Sequence, residues 1–421
     1  MKIRVLFGTF VFLSTVYLFY IPISVIFTSW RYHKTEGAYF LRSQNALKAY
    51  SNIRRFDAIL GAPKLSTNTY LDQIIRKNVS GHSSDIELQN ATLLMLVRNW
   101  EIEGALKSMR SLEDRFNRNY KYTWTFLNDV PFSGEFIEAT TAMASGKTQY
   151  GLIPSEDWNR PSWINETEFE NCLQLMREKH VIYGESKSYR NMCRFNSGFF
   201  LRQAILDKYD YYFRVEPDVD YLCDFPYDPF KIMREGHKKY GFVITIYEYE
   251  DTIPTLWDAV EEFIEEHPDL VNASTNSLKF VTSSGRIGKT TPIVESNSEY
   301  NLCHFWSNFE IGDLNFFRSE AYLKYFEWLD SKGGFFYERW GDAPVHSLAV
   351  ALLLDTSEII HFDELGYFHA PFSSCPDGRS LRLAQRCICD IPQADKVDIA
   401  PNSCLMRWWK DGGGKRFMKN K

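Results

Sequence analysis

A nearly continuous apolar run at residues 91–97, followed by a helical pattern and a second apolar run, limits this chain to few folds. Such a run is typical of a strand buried on both faces, as in a parallel sheet. Between residues 101 and 116, apolar side chains recur at the helical positions 102, 106, 109, 112 and 116. Residues 122–127 predict the next strand, which completes a strand–helix–strand unit. We therefore expect an α/β fold with a mainly parallel or mixed central sheet, whose ligands lie at the carboxyl ends of its strands.

Later apolar patterns predict that strands and helices continue to alternate. Strands are expected at 211–215, 242–247, 309–316 and 358–362, and helices at 168–178, 198–207, 228–239, 255–266, 319–331 and 343–354. With 421 residues, of which 44% are hydrophobic and 16% aromatic, the chain can bury a large core. Its net charge of −6 and the lack of a basic stripe make nucleic acid an unexpected partner.

The first thirty residues predict a membrane anchor. Residues 5–30 contain no charged side chain, and roughly 20 apolar residues are enough to span a bilayer. A cleaved signal peptide is the alternative, but the segment exceeds the usual apolar length and lacks a small-residue cleavage site before Arg31. The predicted organisation is a cytoplasmic tail at 1–4, a transmembrane signal anchor at 5–30, a stem at 31–89 and a lumenal catalytic domain at 90–421.

Two features after the anchor favour a lumenal body. Charged residues flank the anchor on both sides and do not decide its orientation. Four N-glycosylation sequons follow it, at Asn78, Asn90, Asn165 and Asn272. All eight cysteines also follow it, which permits up to four disulfides with the pairing left open. Together these features favour a type II membrane protein.

An acidic run, Glu216-Pro217-Asp218-Val219-Asp220, ends the predicted strand at 211–215. Three carboxylates within five residues face either solvent or a divalent cation, because they cannot be packed in a core without a positive partner. A solvated acidic loop and a metal site are both compatible with this run.

Other candidate residues each have a structural alternative. Arg98 and Asn99 end the first strand, where α/β folds bind nucleotides, or they form an ordinary strand-to-helix turn. Glu310 lies in an apolar stretch and is either a prepared acid, base or nucleophile or a structural carboxylate. Asp342 precedes a helix and could serve as its N-cap. His369, in an aromatic loop, is either a metal ligand or a packed histidine.

Sugar transfer from a nucleotide donor is a reaction that would use all of these residue types. A diphosphate leaving group needs a divalent cation to neutralise its charge. Carboxylate oxygens together with one imidazole suit Mn²⁺. A second carboxylate near the anomeric carbon would stabilise the positive charge that develops on the sugar.

Several long segments resemble the fungal Kre/Mnt/Ktr α-1,2-mannosyltransferases, glycosyltransferase family fifteen. They are LVRNWEI, FLNDVPF, YGLIP, IYGESKSYRNMCRFNSGFF, YDYYFRVEPDVDYLCD, NLCHFWSNFEIGDLNFFRS, GGFFYERWGDAPVHSLA and GYFHAPFSSCP. The resemblance covers nearly the whole chain from about residue 90 onward. It implies a Golgi type II enzyme with a GT-A-like nucleotide-diphospho-sugar transferase fold. Such an enzyme uses GDP-mannose and Mn²⁺, retains the anomeric configuration, and extends mannose at its 2-hydroxyl on protein-linked O- or N-glycans.

The resemblance also implies roles for single residues. Glu216 and His369 are the expected manganese ligands, with Asp218 a third candidate. Glu310 matches the carboxylate proposed as nucleophile, and Asp342 matches a candidate base at the acceptor site.

Three further positions receive lesser roles. Tyr189 matches a tyrosine near the reacting groups, and Arg98 and Asn99 fall where the family contacts the nucleotide. Asp220 carries less weight, because family members often have another residue there.

Three other functions are compatible with parts of the pattern. A mannosylphosphate transferase would use the same donor and metal, and a glycosidase would also need paired carboxylates. A non-catalytic lumenal mannan-binding protein would need neither GDP nor metal.

Overall fold

A seven-stranded mixed sheet forms the centre of the protein. The computed structural model describes residues 87–272, 274–283, 299–389, 397–398 and 400–415, which belong to one compact unit. The strands are β1 Ala91–Leu96, β2 Thr123–Asn128, β3 Thr148–Leu152, β4 Tyr211–Val215, β5 Asp220–Tyr221, β6 Tyr240–Phe242, β7 Thr245–Tyr247, β8 Cys303–Phe305, β9 Phe309–Asp313, β10 Ile359–His361, β11 Tyr367–His369 and β12 Phe372–Ser374. The central sheet has the order β10-β6-β9-β4-β1-β2-β3.

Helices surround this sheet. They are α1 Ile102–Leu112, α2 Arg118–Tyr120, α3 Gly134–Met143, α4 Ser155–Trp158, α5 Glu166–Glu178, α6 Lys187–Gly198, α7 Pro229–Glu235, α8 Leu256–Glu266, α9 Leu278–Thr282, α10 Leu314–Phe317, α11 Glu320–Ser331, α12 Gly334–Tyr337, α13 Asp342–Leu353, α14 Arg379–Ala384 and α15 Leu405–Asp411. A π-helical turn follows α1 at Glu113–Asn117. Short 3-10 turns lie at Asn99–Glu101, Phe200–Arg202, Ala204–Leu206, Glu250–Thr252 and Thr356–Glu358.

The predicted strand–helix–strand unit is confirmed as β1–α1–β2, with β1 and β2 parallel. Strand β4 also runs parallel to β1, whereas β9 runs antiparallel to both β4 and β6. The sheet is therefore mixed. Two small antiparallel sheets accompany it, β12-β11-β5 and β7-β8.

Three expected elements were wrong in extent or position. The helix expected at 198–207 lies at Lys187–Gly198, where Ser186 caps it by accepting a hydrogen bond from the Tyr189 backbone N–H at 3.2 Å. Sequence periodicity missed this helix because Arg190, a charged residue, is fully buried in it. The strand expected at 309–316 ends at Asp313, whose side chain caps α10.

The third correction concerns the strand expected at 242–247, which is two strands. Strand β6 ends at Phe242 and pairs with β9 and β10 in the central sheet. Strand β7 begins at Thr245 and pairs with β8 instead. One apolar run therefore serves two sheets, because the chain leaves the central sheet after Phe242.

Side chains of β4 alternate between two hydrophobic cores. Phe213 and Val215 pack with α1 and the residues Phe309 and Ile311 of β9 in one core. Tyr212 contributes to the other core, which α6, α11 and α13 cover. Because strand side chains alternate, Arg214 points to the same face as Tyr212. The charged groups of β4 therefore lie on the face covered by α6 and α13.

Three disulfides cross-link the described residues, and two cysteines are free. The bonded pairs are Cys223–Cys387, Cys303–Cys404 and Cys375–Cys389, whereas Cys172 and Cys193 are free and buried. Among the described residues, no helix combines the length and the apolar character that a bilayer crossing requires. The predicted tail, anchor and nearly all of the stem lie outside these residues.

Asp228 is expected to make stability depend on pH. It caps α7, accepting from the Phe230 backbone N–H at 3.0 Å and from the Tyr122 hydroxyl at 2.6 Å. Burial raises the pKa of Asp228 to about 6, against the hydrogen bonds that lower it. A raised carboxyl pKa means that the folded state binds the proton more tightly than the unfolded state. The free energy of unfolding therefore falls as pH rises from about 4 to about 6.

Asp228→Asn keeps a side-chain oxygen that can cap α7 but removes the carboxyl group that titrates. Urea unfolding at a series of pH values should show the wild type losing up to about 3 kcal/mol relative to the variant between pH 4 and 7. A difference between the two proteins that stays constant with pH would contradict this account.

Candidate active site

The candidate site residues converge at one edge of the central sheet. Strands β1 and β4 are parallel neighbours in which Leu94 pairs with Arg214, so their carboxyl ends meet. Arg98 follows β1, and Glu216 follows β4. Strand β11 pairs with β5 in the register Phe368 to Asp220, which brings the end of β11 to the same edge. Three distant segments of the sequence therefore meet at one point.

Glu216 lies close enough to His369 for its negative charge to act on the imidazole. Burial lowers the pKa of His369, and the negative charge of Glu216 opposes that shift. Glu216 accepts a hydrogen bond from the Nε of Arg214 at 2.6 Å. The Nδ1 of His369 lies 3.1 Å from the amide nitrogen of Asn308, and no hydrogen bond within the described residues engages its Nε2. A carboxylate oxygen and an imidazole nitrogen are a donor pair that suits Mn²⁺, so these residues fit the predicted metal.

Asp218 is turned toward helix α1. Its backbone N–H donates to the carbonyl of Gly104 at 3.1 Å, and its own backbone is left-handed with φ of 59°. A Cβ on Gly104 would lie 2.7 Å from the Asp218 carboxylate, so only glycine allows this approach. The ligand atoms of Glu216, Asp218 and His369 do not all come within 4.8 Å of one another in the described structure. The Asp218 carboxylate therefore lies beside the first turn of α1, and its negative charge also acts on His369.

Glu310 is a buried carboxylate with several donors around it. Its Oε1 accepts from the Tyr212 hydroxyl, and its Oε2 accepts from the Tyr240 hydroxyl and from the Nδ1 of His346, both at 2.8 Å. The Nε2 of His346 lies 2.9 Å from the carbonyl oxygen of Asn196, so the imidazole bridges that carbonyl and the Glu310 carboxylate. Burial raises the pKa of Glu310, but His346 and the other donors hold it below its ordinary value. Glu310 is therefore an anion.

The Glu310 carboxylate lines a small, partly open pocket. The remaining walls are mainly apolar and come from β1, β2, β4, α6, the 3-10 turn after α6, and α13: Leu94, Leu96, Leu127, Phe195, Asn196, Phe200, Tyr212, Arg214 and His346. Because Oε1 accepts one hydrogen bond from the part of the chain that the structure describes, it keeps a lone pair for a ligand. The pocket can thus place a negative charge beside a substrate.

Arg214 links the candidate metal ligand to the candidate acceptor residue. Its Nε donates to Glu216 and its Nη1 donates to Asp342 Oδ2, which also accepts from the Ser307 hydroxyl at 2.8 Å. Burial raises the pKa of Asp342, but the Arg214 guanidinium holds it below its usual value. Gly341 takes the N-cap position of α13, so a capping role for Asp342 is wrong. A carboxylate paired in this way orients a sugar hydroxyl more readily than it removes a proton.

Tyr189 lies close enough to Asp342 for the charge of that carboxylate to act on its hydroxyl. Burial raises the pKa of its hydroxyl, and Asp342 is among the charges that raise it further. Its ring stacks on that of Tyr183 with centroids 4.6 Å apart, and the Arg339 guanidinium lies 5.2 Å from its centroid. Tyr189 therefore carries a protonated hydroxyl at neutral pH.

Arg98 and Asn99 differ in what they can offer a ligand. The Arg98 guanidinium lies between the indole rings of Trp100 and Trp158, at 5.2 and 5.7 Å, without a carboxylate partner in the described structure. Asn99 uses both ends of its amide on the loop before α3, donating to Pro131 and accepting from Ser133. Arg98 is therefore the residue of this pair that is available to an anionic ligand.

Sequence reasoning missed the residues that support the site. Arg214, Ser307, Asn308 and His346 were not singled out, although the segments that contain them were. Arg214 lies two residues before Glu216 in an otherwise apolar strand, and this charge could have indicated its role. The others gave no signal, because their partners are distant in sequence.

The mixed α/β sheet, with carboxylates, an imidazole and an arginine at one strand edge, agrees with the GT-A-like glycosyltransferase fold that the resemblance implies and that a related solved structure shares. A sequence model described as glycolipid 2-alpha-mannosyltransferase matches residues 47–412. The chain belongs to this family, as the sequence predicted.

Named relatives agree with the family assignment. The chain is 64% identical to the probable mannosyltransferase KTR2 of Saccharomyces cerevisiae, over 91% of this chain and 90% of that protein. It is 52% identical to the alpha-1,2 mannosyltransferase KTR1 of the same yeast, over 72% of this chain and 74% of that one. The crystal structure of core-mannan synthase A from Aspergillus fumigatus, in its Mn/GDP form, has 37% identity and a TM-score of 0.71, covering 80% of this chain and 88% of that chain.

Proposed function

We propose that the protein is a Mn²⁺-dependent, retaining α-1,2-mannosyltransferase that moves mannose from GDP-mannose to the 2-hydroxyl of an acceptor mannose. The observation that supports it most is that Arg214, which lines the Glu310 pocket, donates hydrogen bonds to both Glu216 and Asp342. Family membership and the related Mn/GDP-form structure support the choice of metal and donor. The acceptor is proposed to be a mannosylated glycoprotein.

Each group has a task in this reaction. Glu216 and His369 would hold Mn²⁺, which neutralises the diphosphate charge when the glycosidic bond breaks. The Arg98 guanidinium, held between two indoles, offers a positive charge to the nucleotide. Glu310 places its free lone pair beside the donor sugar, where a negative charge stabilises a developing oxocarbenium ion.

Asp342 and Tyr189 are proposed to orient the acceptor. An ionised Asp342 accepts a hydrogen bond from the attacking hydroxyl, and the protonated Tyr189 hydroxyl remains able to donate one. Arg214 keeps the two halves of the site in register because it is bonded to both carboxylates. Positioning of this kind supplies much of the rate enhancement of enzymes.

The location is also part of the proposal. We place the protein in the Golgi membrane as a single-pass type II enzyme, anchored by residues 5–30 with residues 90–421 in the lumen. The uncharged anchor segment, the sequons and the cysteines support this orientation. In sealed Golgi vesicles, we expect residues 90–421 to be protected from added protease. Digestion of these residues without detergent would contradict the lumenal orientation.

One assay tests the activity. Full-length protein in detergent, given GDP-mannose, Mn²⁺ and methyl α-mannoside, should yield an α-1,2-linked disaccharide by linkage analysis. Release of GMP, with a product that carries mannose phosphate, would favour a mannosylphosphate transferase. Mannose binding without GDP release would favour a mannan-binding protein and contradict the proposal.

A further inference from the structure

A buried amide lies behind the imidazole that is proposed to bind metal. Asn308 is only 8% exposed, and its side-chain nitrogen lies 3.1 Å from the Nδ1 of His369. The other end of the amide, Oδ1, is buried without a hydrogen-bond partner in the described structure. A buried polar atom left in this way costs about 1–3 kcal/mol, so its presence calls for a reason.

The surroundings hold Asn308 firmly in place. Its carbonyl accepts a hydrogen bond from the Tyr367 hydroxyl at 3.0 Å, two residues before His369. The preceding Ser307 is bonded to Asp342, and the Trp306 ring packs edge-on against His369 with centroids 5.1 Å apart. The segment before β9 thus fixes the amide and the imidazole against each other.

The orientation of this amide is linked to the tautomer of His369. An amide rotated by 180° has the same shape, with nitrogen and oxygen exchanged. When Nδ2 faces the imidazole, Nδ1 must be the acceptor, and the proton then sits on Nε2, where it blocks metal binding. When Oδ1 faces the imidazole, it accepts from Nδ1–H, and Nε2 keeps a lone pair. The rotation gives Oδ1 the hydrogen bond that it lacks and moves Nδ2 to the position that Oδ1 now occupies.

We propose that Asn308 is a positioning residue whose side-chain oxygen accepts the Nδ1–H of His369 and so keeps the Nε2 lone pair directed at the divalent cation. This inference rests on the proposed function, because it concerns the same metal site. Histidines that bind metals commonly donate their second ring N–H to such a partner, and loss of that partner typically weakens metal affinity 10–100-fold.

Mn²⁺ affinity measures this role without any turnover. Full-length protein in detergent, with GDP present, is titrated with Mn²⁺, and the free ion is followed by electron paramagnetic resonance. Asn308→Ala and Asn308→Leu remove the acceptor and should weaken Mn²⁺ binding about 10–100-fold. Asn308→Asp keeps an acceptor at the same position and should bind Mn²⁺ within about threefold of wild type or more tightly.

Asn117→Ala is the matched control, because Asn117 is another fully buried asparagine, bonded to Glu113 and Tyr122. It should lower the unfolding midpoint and leave Mn²⁺ affinity within about twofold. In a His369→Ala background, Asn308→Ala should have no further effect on Mn²⁺ affinity, because the interaction is already absent.

Several results would overturn the inference. Wild-type affinity in a folded Asn308→Ala protein would do so, as would equal losses in Asn308→Asp and Asn308→Leu. If Asn308→Ala does not fold, the comparison of Asn308→Asp with Asn308→Leu still decides the question. Absence of Mn²⁺ binding by the wild type would instead contradict the proposed function.

Discussion

Replacement of Glu310 by glutamine should lower kcat for mannosyl transfer by at least about 100-fold, at saturating GDP-mannose and Mn²⁺. Glutamine keeps the shape of the side chain but removes the negative charge that faces the pocket. One end of its amide would also present N–H groups to hydroxyl or imidazole donors that now bond a carboxylate. The electrostatic stabilisation of the sugar is therefore lost, and the local hydrogen bonds are disturbed.

The same substitution should also destabilise the fold. Removing the carboxylate leaves buried donors without a full partner, which costs about 1–3 kcal/mol for each unsatisfied group. Here those donors are the Tyr212 and Tyr240 hydroxyls and the His346 imidazole, which is 1% exposed. Chemical unfolding measures this loss, and GDP binding by the variant shows whether enough protein remains folded to interpret the kinetics.

Tyr240→Phe is the variant that separates the two effects. It removes one hydrogen bond to Oε2 but keeps the charge and the Oε1 atom, whose free lone pair is the one proposed to face the donor sugar. We expect a loss of about 1–2 kcal/mol in unfolding free energy and a less than tenfold change in kcat. Turnover by Glu310→Gln within a few-fold of wild type would show that the carboxylate has no part in the reaction.

The main parts of the fold could be predicted from local patterns, and the exceptions have physical causes. The run at residues 91–97 predicted β1 because a strand buried on both faces must be apolar along its length. Helix α6 was missed because the hydrophobic pattern counts Arg190 as a surface residue. In the structure, its guanidinium donates to the Glu338 carbonyl at 3.0 Å and contacts the Met176 sulfur at 3.2 Å. Tertiary contacts therefore overrode the local pattern.

The candidate site could be predicted as a set of residue types, but its connections could not. Glu216 stands out because it begins an acidic run and Glu310 because it lies in an apolar segment, whereas His369 received its role from the family resemblance. Arg214 bonds both Glu216 and Asp342, and Asp342 lies 128 residues after Arg214 in the sequence. This connection depends on the packing of α13 against the sheet. The turn of Asp218 toward Gly104 likewise depends on how α1 meets the loop after β4.

Removal of divalent cations should abolish transfer, and Mn²⁺ should restore it better than Ca²⁺. The candidate ligands are one carboxylate and one imidazole. Arg214 already donates a hydrogen bond to one oxygen of the Glu216 carboxylate, so few protein oxygens remain for a cation. Ca²⁺ prefers six to eight oxygen ligands, whereas Mn²⁺ accepts imidazole nitrogen and fewer protein ligands. Activity after chelation and after readdition of each ion measures this preference.

Two single substitutions connect that requirement to named residues. Glu216→Gln and His369→Ala should each raise the Mn²⁺ concentration needed for half-maximal activity by at least about tenfold, because each removes one ligand. They should also reduce the stabilisation that Mn²⁺ and GDP give against unfolding, which amounts to about 2.7 kcal/mol at one hundred times the dissociation constant. Asp218→Asn should leave the Mn²⁺ requirement within about threefold, since its carboxylate lies against the first turn of α1. An equal Mn²⁺ requirement in all three variants would place the ion elsewhere in the protein.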